Sequence, residues 1–418
     1  MSQKLEKSIG FVLGTSYCVT IIVGAGILGL PGEAAKLAGA NSVWAWLADL
    51  LLVVPLLIVF GKLITKAQSA GGISDFVRLA FGPGLLFRFS QALLLVTLAV
   101  GTAAIAIVGA QYLASGLGLR EFGTLILGIV LIFFPTLINL FGIQMSGKWQ
   151  SVTAALLLSF LFFVIYSSMR RWNLAHAFSF DPHNITGMWS AMGMIWFAFT
   201  GVEMVSFLGE EFKSPRVFIL SLVTSLFIIA FLYVGLAVAV KELVPAHSPE
   251  LAKSPITAIL TETMGSGVGR LGGVFGFILI LVNLTAAILG ASRLVFAVGR
   301  DGVLLPRSIG SLEGGIPRSA LLLLAGTSVL LLAAILIFEL PLNSVFTVVS
   351  ENWFILYVLA ILSFLKLADS KTETTIGVAS LVLSLLFMSS FSWLLVLPAL
   401  VFVGTFVAIR KGQTNVAR

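Results

Sequence analysis

The segment Leu321–Phe338 runs for almost a membrane thickness without one charged side chain. A helix needs about 20 mainly apolar residues to cross a bilayer's hydrocarbon core. Lipid offers no partner to backbone N–H and C=O groups, so only helices and closed barrels cross it. Barrel strands alternate apolar with polar residues. Leu321–Phe338 does not alternate, so it is a helix. The same pattern recurs along the chain. Charged residues make up 10% and the mean hydropathy is +1.10, whereas soluble domains carry roughly 25% charged residues. The expected fold class is an all-α membrane protein.

About twelve spans are predicted, at 9–31, 42–62, 86–113, 122–141, 149–168, 187–208, 217–240, 271–298, 318–338, 344–366, 374–390 and 393–410. The last two share one apolar run, interrupted at Ser389, Ser390, Phe391 and Ser392, which suits two short spans or a re-entrant hairpin. The first apolar stretch lacks a small-residue cleavage site, so the N-terminus is expected to be retained. Loops and tails are short, and the segment from Lys241 to Arg270 is too small to hold a core of its own.

The net charge of +7 is read as loop charge rather than as a nucleic-acid footprint. With the N-terminus inside, 18 Lys and Arg residues, Lys4 and Arg418 among them, fall on the cytoplasmic side and 7, including Arg120, Arg170 and Arg171, on the other. Basic residues concentrate on the cytoplasmic side, so both termini are expected inside, in the cell (inner) membrane. Cys18 is the single cysteine and lies in an apolar segment, so no internal disulfide forms. His176, His183 and His247 are scattered in polar connections and do not suggest a metal site. Neither a cofactor motif nor a reactive constellation at membrane depth stands out, which argues against an enzyme.

Two spans contain residues that a plain span avoids. In the first, Val23–Gly32 holds four glycines and Pro31. Glycine disfavours helix by about 1 kcal/mol and proline by about 3. An unwound stretch and close packing through small residues both explain the pattern. In the sixth, Phe197–Glu203 combines Thr200, Gly201 and an acid. An ionisable group at membrane depth is a functional candidate by default; a protonated glutamate bonded to the backbone is the structural alternative. The offset between spans one and six fits two inverted five-helix repeats, each beginning with a broken helix. Freed N–H groups then face an anion and freed carbonyls a cation, a pairing that suits a zwitterionic amino acid.

At these residues the chain resembles the amino acid–polyamine–organocation transporter superfamily, over nearly its whole length. The motifs are Gly24-Ala25-Gly26-Ile27 with Pro31-Gly32, Ser69-Ala70-Gly71-Gly72-Ile73 through Ala80-Phe81-Gly82-Pro83, and Phe199-Thr200-Gly201-Val202-Glu203. Further along come Glu210-Glu211-Phe212-Lys213-Ser214-Pro215-Arg216, then Ala291-Ser292-Arg293 with Arg300-Asp301-Gly302 and Pro306. The stretch Ala38–Trp46 is similar to one in the bacterial exporters of methionine and branched-chain amino acids. The resemblance implies a first repeat over 1–168, a second over 169–366, and two C-terminal spans with a short tail over 367–418.

It also implies roles. Backbone N–H groups of Gly24, Ala25 and Gly26 would meet the substrate carboxylate. Carbonyls of Ile22, Phe197 and Thr200 would meet its ammonium. Phe197, with Trp196 beside it, would close over the substrate. Glu203 would serve coupling or release. Glu351 is a second gating candidate, and with Asp49 it is expected in a hydrated outer vestibule. Thr102, Ala286, Ala287 and Ile288 would lie near the site, and Asn283 would either bridge helices, the stronger expectation, or contact the substrate. The basic residue of some proton-coupled relatives is replaced by Leu157. Thr285 is a candidate sodium ligand, although a bond to its own helix is the stronger expectation. A site this poor in polar side chains favours methionine, leucine, isoleucine or valine. The expected function is proton-driven or exchange-driven export; an uptake permease and an amino acid sensor on a transporter scaffold are the alternatives. Expected partners are a small neutral amino acid, a coupling proton and membrane lipid, with a homo-oligomer left open.

Overall fold

The computed structural model describes residues 7–66, 71–117, 121–141, 147–209, 211–245, 248, 250–391 and 396–416. Of the residues singled out above, Lys4, Ser69, Ala70, Arg120, Glu210, His247, Ser392 and Arg418 lie outside these, as does the side chain of Ala25.

The described residues are almost wholly helical. The first broken span is α1 (Phe11–Ile22) and α2 (Ala25–Ala38). Then come α3 (Ser42–Lys66), α4 (Ile73–Phe81), α5 (Leu85–Leu117), α6 (Glu121–Leu140) and α7 (Gly147–Met169). A short α8 (Leu174–Ala177) leads to the second broken span, α9 (Ile185–Ile195), a 3-10 turn Trp196–Phe199 and α10 (Val202–Ser206). The chain continues with α11 (Pro215–Leu243), α12 (Glu250–Lys253), α13 (Pro255–Met264), α14 (Ser266–Asp301), α15 (Arg318–Ile337), α16 (Leu342–Lys366), α17 (Lys371–Phe387) and α18 (Val396–Val416). Among the described residues, ten helical stretches are long and apolar enough to cross a membrane, and Phe11–Ile22 and Val396–Val407 are shorter apolar helices. The final apolar run is therefore two helices.

Helix boundaries follow local chemistry. Ser214 caps α11, accepting from the Val217 N–H at 3.3 Å, and Pro215 takes the first helical position, where no N–H is needed. Ser370 caps α17 by accepting from the Glu373 N–H, and the Glu373 carboxylate accepts from the Asp369 N–H at 3.1 Å. This is close to a capping box. α14 stops at Gly302, whose φ of +71° is left-handed.

α1 packs among α7, α11 and α14, while α5 packs against α14, α6, α15 and α16. The segment between α11 and α14 has no core of its own, as expected. Ile256, Ile259 and Leu260 of α13 are instead buried in the body of the protein. Where the chain enters α1, the Ile9 N–H donates to the Glu211 carbonyl (2.9 Å) and the Lys213 N–H donates to the Ile9 carbonyl (3.0 Å). This parallel bridge fastens the start of the first span to the loop after the sixth.

Candidate functional site

The first break is narrow. α1 ends at Ile22 and α2 begins at Ala25, so only Val23 and Gly24 are unwound. Two of the other three glycines serve close contact, while a Cβ on Gly29 would meet only Val108, at an ordinary 3.7 Å. A Cβ on Gly26 would lie 2.6 Å from the Ala198 Cα, and one on Gly32 would lie 1.5 Å from the Leu251 carbonyl oxygen. The two explanations of Val23–Gly32 thus divide the segment: unwinding at Val23–Gly24, close packing at Gly26 and Gly32.

The second break is longer and builds its own scaffold. After the 3-10 turn, Thr200 is extended (φ −69°, ψ 147°). Gly201 then takes φ +127°, a conformation that a side chain would strain. The Phe197 carbonyl accepts from the Thr200 N–H (3.2 Å) and the Thr200 hydroxyl (2.7 Å). Glu203 is fully buried. Its Oε1 accepts from the Gly201 N–H at 2.7 Å, and its Oε2 accepts from the Tyr357 hydroxyl of α16. The carboxylate therefore holds the break in shape and ties it to α16.

One side chain touches both breaks. The Tyr233 hydroxyl of α11 lies 3.1 Å from the Ile22 carbonyl and 2.5 Å from the Ala198 carbonyl. Trp46 and Phe199 pack edge-on around its ring.

Between the breaks lies a small cavity of about 40 Å³. Seven of the eight expected substrate-binding residues line it: Ile22, Gly24, Gly26, Thr102, Phe197, Thr200 and Ala287. The eighth, Ala25, stands at the first turn of α2. The N–H groups of that turn lack an intrahelical acceptor by their position. Phe197 stacks against Phe346 of α16, with ring centroids 4.7 Å apart.

Several expected roles are altered. The Gly24 N–H already donates to the Ile22 carbonyl at 2.9 Å. That carbonyl also meets Tyr233, and the Phe197 carbonyl meets Thr200 twice. A carbonyl has two lone pairs, so the Phe197 carbonyl is filled from within the protein, whereas the Ile22 carbonyl shares the single Tyr233 proton with the nearer Ala198 carbonyl. Trp196 is not a lid. It is fully buried on another side of the break, packed on Phe354 and Phe387 at 5.5 and 5.2 Å. The aromatic faces of α16 and α17 hold its ring there, so that of this pair only Phe197 lines the cavity. Glu203 is turned toward Tyr357 and is not in the lining. Asp49 and Glu351 are both fully buried, not in a hydrated vestibule.

Other expectations hold. The Thr285 hydroxyl donates to its own helix at the Leu281 carbonyl, 2.8 Å away. Asn283 of α14 bridges helices, its Nδ2 donating to the Thr20 carbonyl at 2.6 Å and the Ile21 carbonyl at 3.3 Å. The sequence missed Ile21, Trp353, Met204, Thr97, Leu98, Gly101 and Ile105 in the lining. The residues of α5 were within reach: 97, 98, 101 and 105 share a helical face with Thr102. Trp353 gave no signal beyond its place beside Glu351 and Asn352.

A bundle of membrane-crossing helices with a cavity at two helix breaks defines an integral, multi-pass membrane transporter. The chain belongs to the amino acid permease family, whose model matches residues 8–415. It is 27% identical to the L-methionine/branched-chain amino acid exporter YjeH of Escherichia coli (strain K12), over 98% of each chain. It is 28% identical to the amino acid permease YecA of Bacillus subtilis (strain 168), over 99% of this chain and 98% of that one. The branched-chain amino acid permease BcaP of Lactococcus lactis subsp. cremoris is 24% identical over 71% of this chain and 68% of its own. The family and these relatives are transporters and permeases, not enzymes.

Proposed function

We propose that this chain is a secondary active transporter of neutral, hydrophobic amino acids (methionine, leucine, isoleucine and valine) that exports them by proton antiport or exchange. The observation that carries this reading is the cavity between the breaks. Its side-chain lining is apolar apart from Thr97, Thr102, Thr200 and Asn283, and among the described residues no charged one lines it. A cationic or acidic substrate side chain would be desolvated there without a counter-charge, which costs far more than burying an apolar one. The full-length likeness to an exporter of methionine and branched-chain amino acids supports the same cargo.

Alternating access in this scheme rocks one inverted repeat, 1–168, against the other, 169–366, with 367–418 as an added pair of spans and a tail. Both termini face the cytoplasm, in the inner membrane. Glu203 and Glu351 serve coupling and gating, and Phe197 closes over the substrate. Uptake by the same site is the second reading, favoured by the likeness to a branched-chain amino acid permease.

The test is transport in proteoliposomes with labelled methionine, leucine, arginine and glutamate, with and without a pH gradient. Methionine and leucine should move, and preloaded leucine should leave faster into an acidic medium. Transport of arginine but not leucine would sink the assignment. Accumulation of leucine from the acidic side would replace export by uptake.

A further inference from the structure

Asn283 holds two carbonyls at the end of α1 through its Nδ2, at 2.6 and 3.3 Å. Carbonyls only accept, so this pair fixes the orientation of the amide: the nitrogen must face α1. Its Oδ1 must then point elsewhere. That oxygen is buried and accepts no hydrogen bond among the described residues. Asn283 is also part of the cavity lining, and its amide lies along Gly24 where a side chain would be. A Cβ on Gly24 would stand 2.8 Å from Oδ1. A buried acceptor without a donor is unfavourable, and natural proteins rarely retain one.

The neighbouring acceptors make the oxygen conspicuous. The Phe197 carbonyl is filled by the two donors of Thr200, and the Ile22 carbonyl already accepts from the Gly24 N–H and shares the one Tyr233 proton with Ala198. A substrate ammonium has three N–H donors to place. Of the carbonyls assigned to it, that of Thr200 remains, with at most one lone pair on Ile22.

We infer that Asn283 is a substrate-binding residue, its Oδ1 accepting a hydrogen bond from the ammonium group of the transported amino acid while its Nδ2 stays on α1. This rests on the proposed transport of amino acids through the same cavity. One side chain then serves two ends: the donor fixes the end of α1, and the acceptor selects for an α-amino group. The contact separates amino acids from carboxylates of the same shape.

The experiment compares leucine with 4-methylpentanoate, which is leucine without its amino group. Each competes against labelled leucine in proteoliposomes carrying the wild-type protein or Asn283→Ala. Leucine transport by the wild type is measured first; its absence would sink the substrate reading rather than this contact. For Asn283→Ala, the apparent affinity for leucine should fall at least about tenfold, the usual cost of losing a hydrogen bond to a charged group. The affinity for 4-methylpentanoate, which suffers only the loss of the Nδ2 bonds to α1, should fall at least several-fold less than that for leucine. A purely structural role weakens both compounds alike, and that result, or an unchanged leucine affinity, overturns the inference. Should the variant fail to fold, the wild type gives the answer with methylated leucines. N-methyl-leucine keeps two donors and should compete near leucine, while N,N,N-trimethyl-leucine keeps the charge with no donor and should be at least tenfold weaker. Equal competition by the trimethyl compound overturns the inference, as does a full loss with one methyl group, which points to bulk.

Discussion

The two helix breaks meet at one cavity but are made differently. The first is two residues long, and its neighbours shape it: Ala198 presses on Gly26, Leu251 on Gly32, and Asn283 and Tyr233 hold the carbonyls at the end of α1. The second carries its own instructions. Thr200 ties back to Phe197, Gly201 supplies the positive φ, and Glu203 binds the Gly201 N–H from two residues ahead. One break is imposed by packing and the other by local hydrogen bonding. Damage to the first should therefore be steric and large, and damage to the second graded and chemical.

The largest effect is expected at Gly26. Gly26→Val places a branched side chain against the Ala198 backbone, where even a Cβ is too close. Overpacking of this kind costs about 3 kcal/mol, and leucine transport should fall more than tenfold with a lowered melting temperature. Normal transport and melting by this variant would break the comparison at its root.

Tyr233→Phe comes next, because it releases both breaks at once. It removes the one proton that the Ala198 and Ile22 carbonyls share, which costs about 1–3 kcal/mol. The melting temperature of purified protein should drop, with a larger drop than for either break's own polar variants.

Glu203→Gln is milder for the fold. The amide oxygen still accepts from the Gly201 N–H, but the position can no longer change charge. Transport should persist while its pH dependence flattens, measured as initial rates across a pH series. An unchanged profile would leave Glu203 as a clamp of the second break alone.

The smallest effect belongs to Thr200→Val. It keeps the shape and removes one hydrogen bond to Phe197, worth about 1 kcal/mol. A melting shift of a few degrees is expected; a collapse like that of Gly26→Val would mean that the second break is also set by packing.

The contrast also explains what was legible in the sequence. Spans appear as apolar runs because lipid imposes that composition on every lipid-facing surface, so Leu321–Phe338 needed no partner to be recognised. The second break was visible because its cause is local: threonine, glycine and glutamate within a few residues. The first was ambiguous because a glycine that unwinds and a glycine that packs look alike until the facing residue is known, and Ala198 and Leu251 are far away in the sequence. Trp196 read as a helper of Phe197 for the same reason. Which ring faces the cavity depends on Phe354 and Phe387, not on anything adjacent. Asn283 was recognised as a bridge, but the direction of its second amide atom needed the positions of Thr20 and Ile21.

The short bridge between Ile9 and the 211–213 segment joins the entry to the first broken span with the exit from the second. Its two amide protons, on Ile9 and Lys213, are each shielded by a carbonyl of the other strand. Deuterium can replace them only when those strands part. The exchange lifetimes of these two amides thus form an internal clock for separation of the two span ends, readable on the unlabelled, unmutated chain.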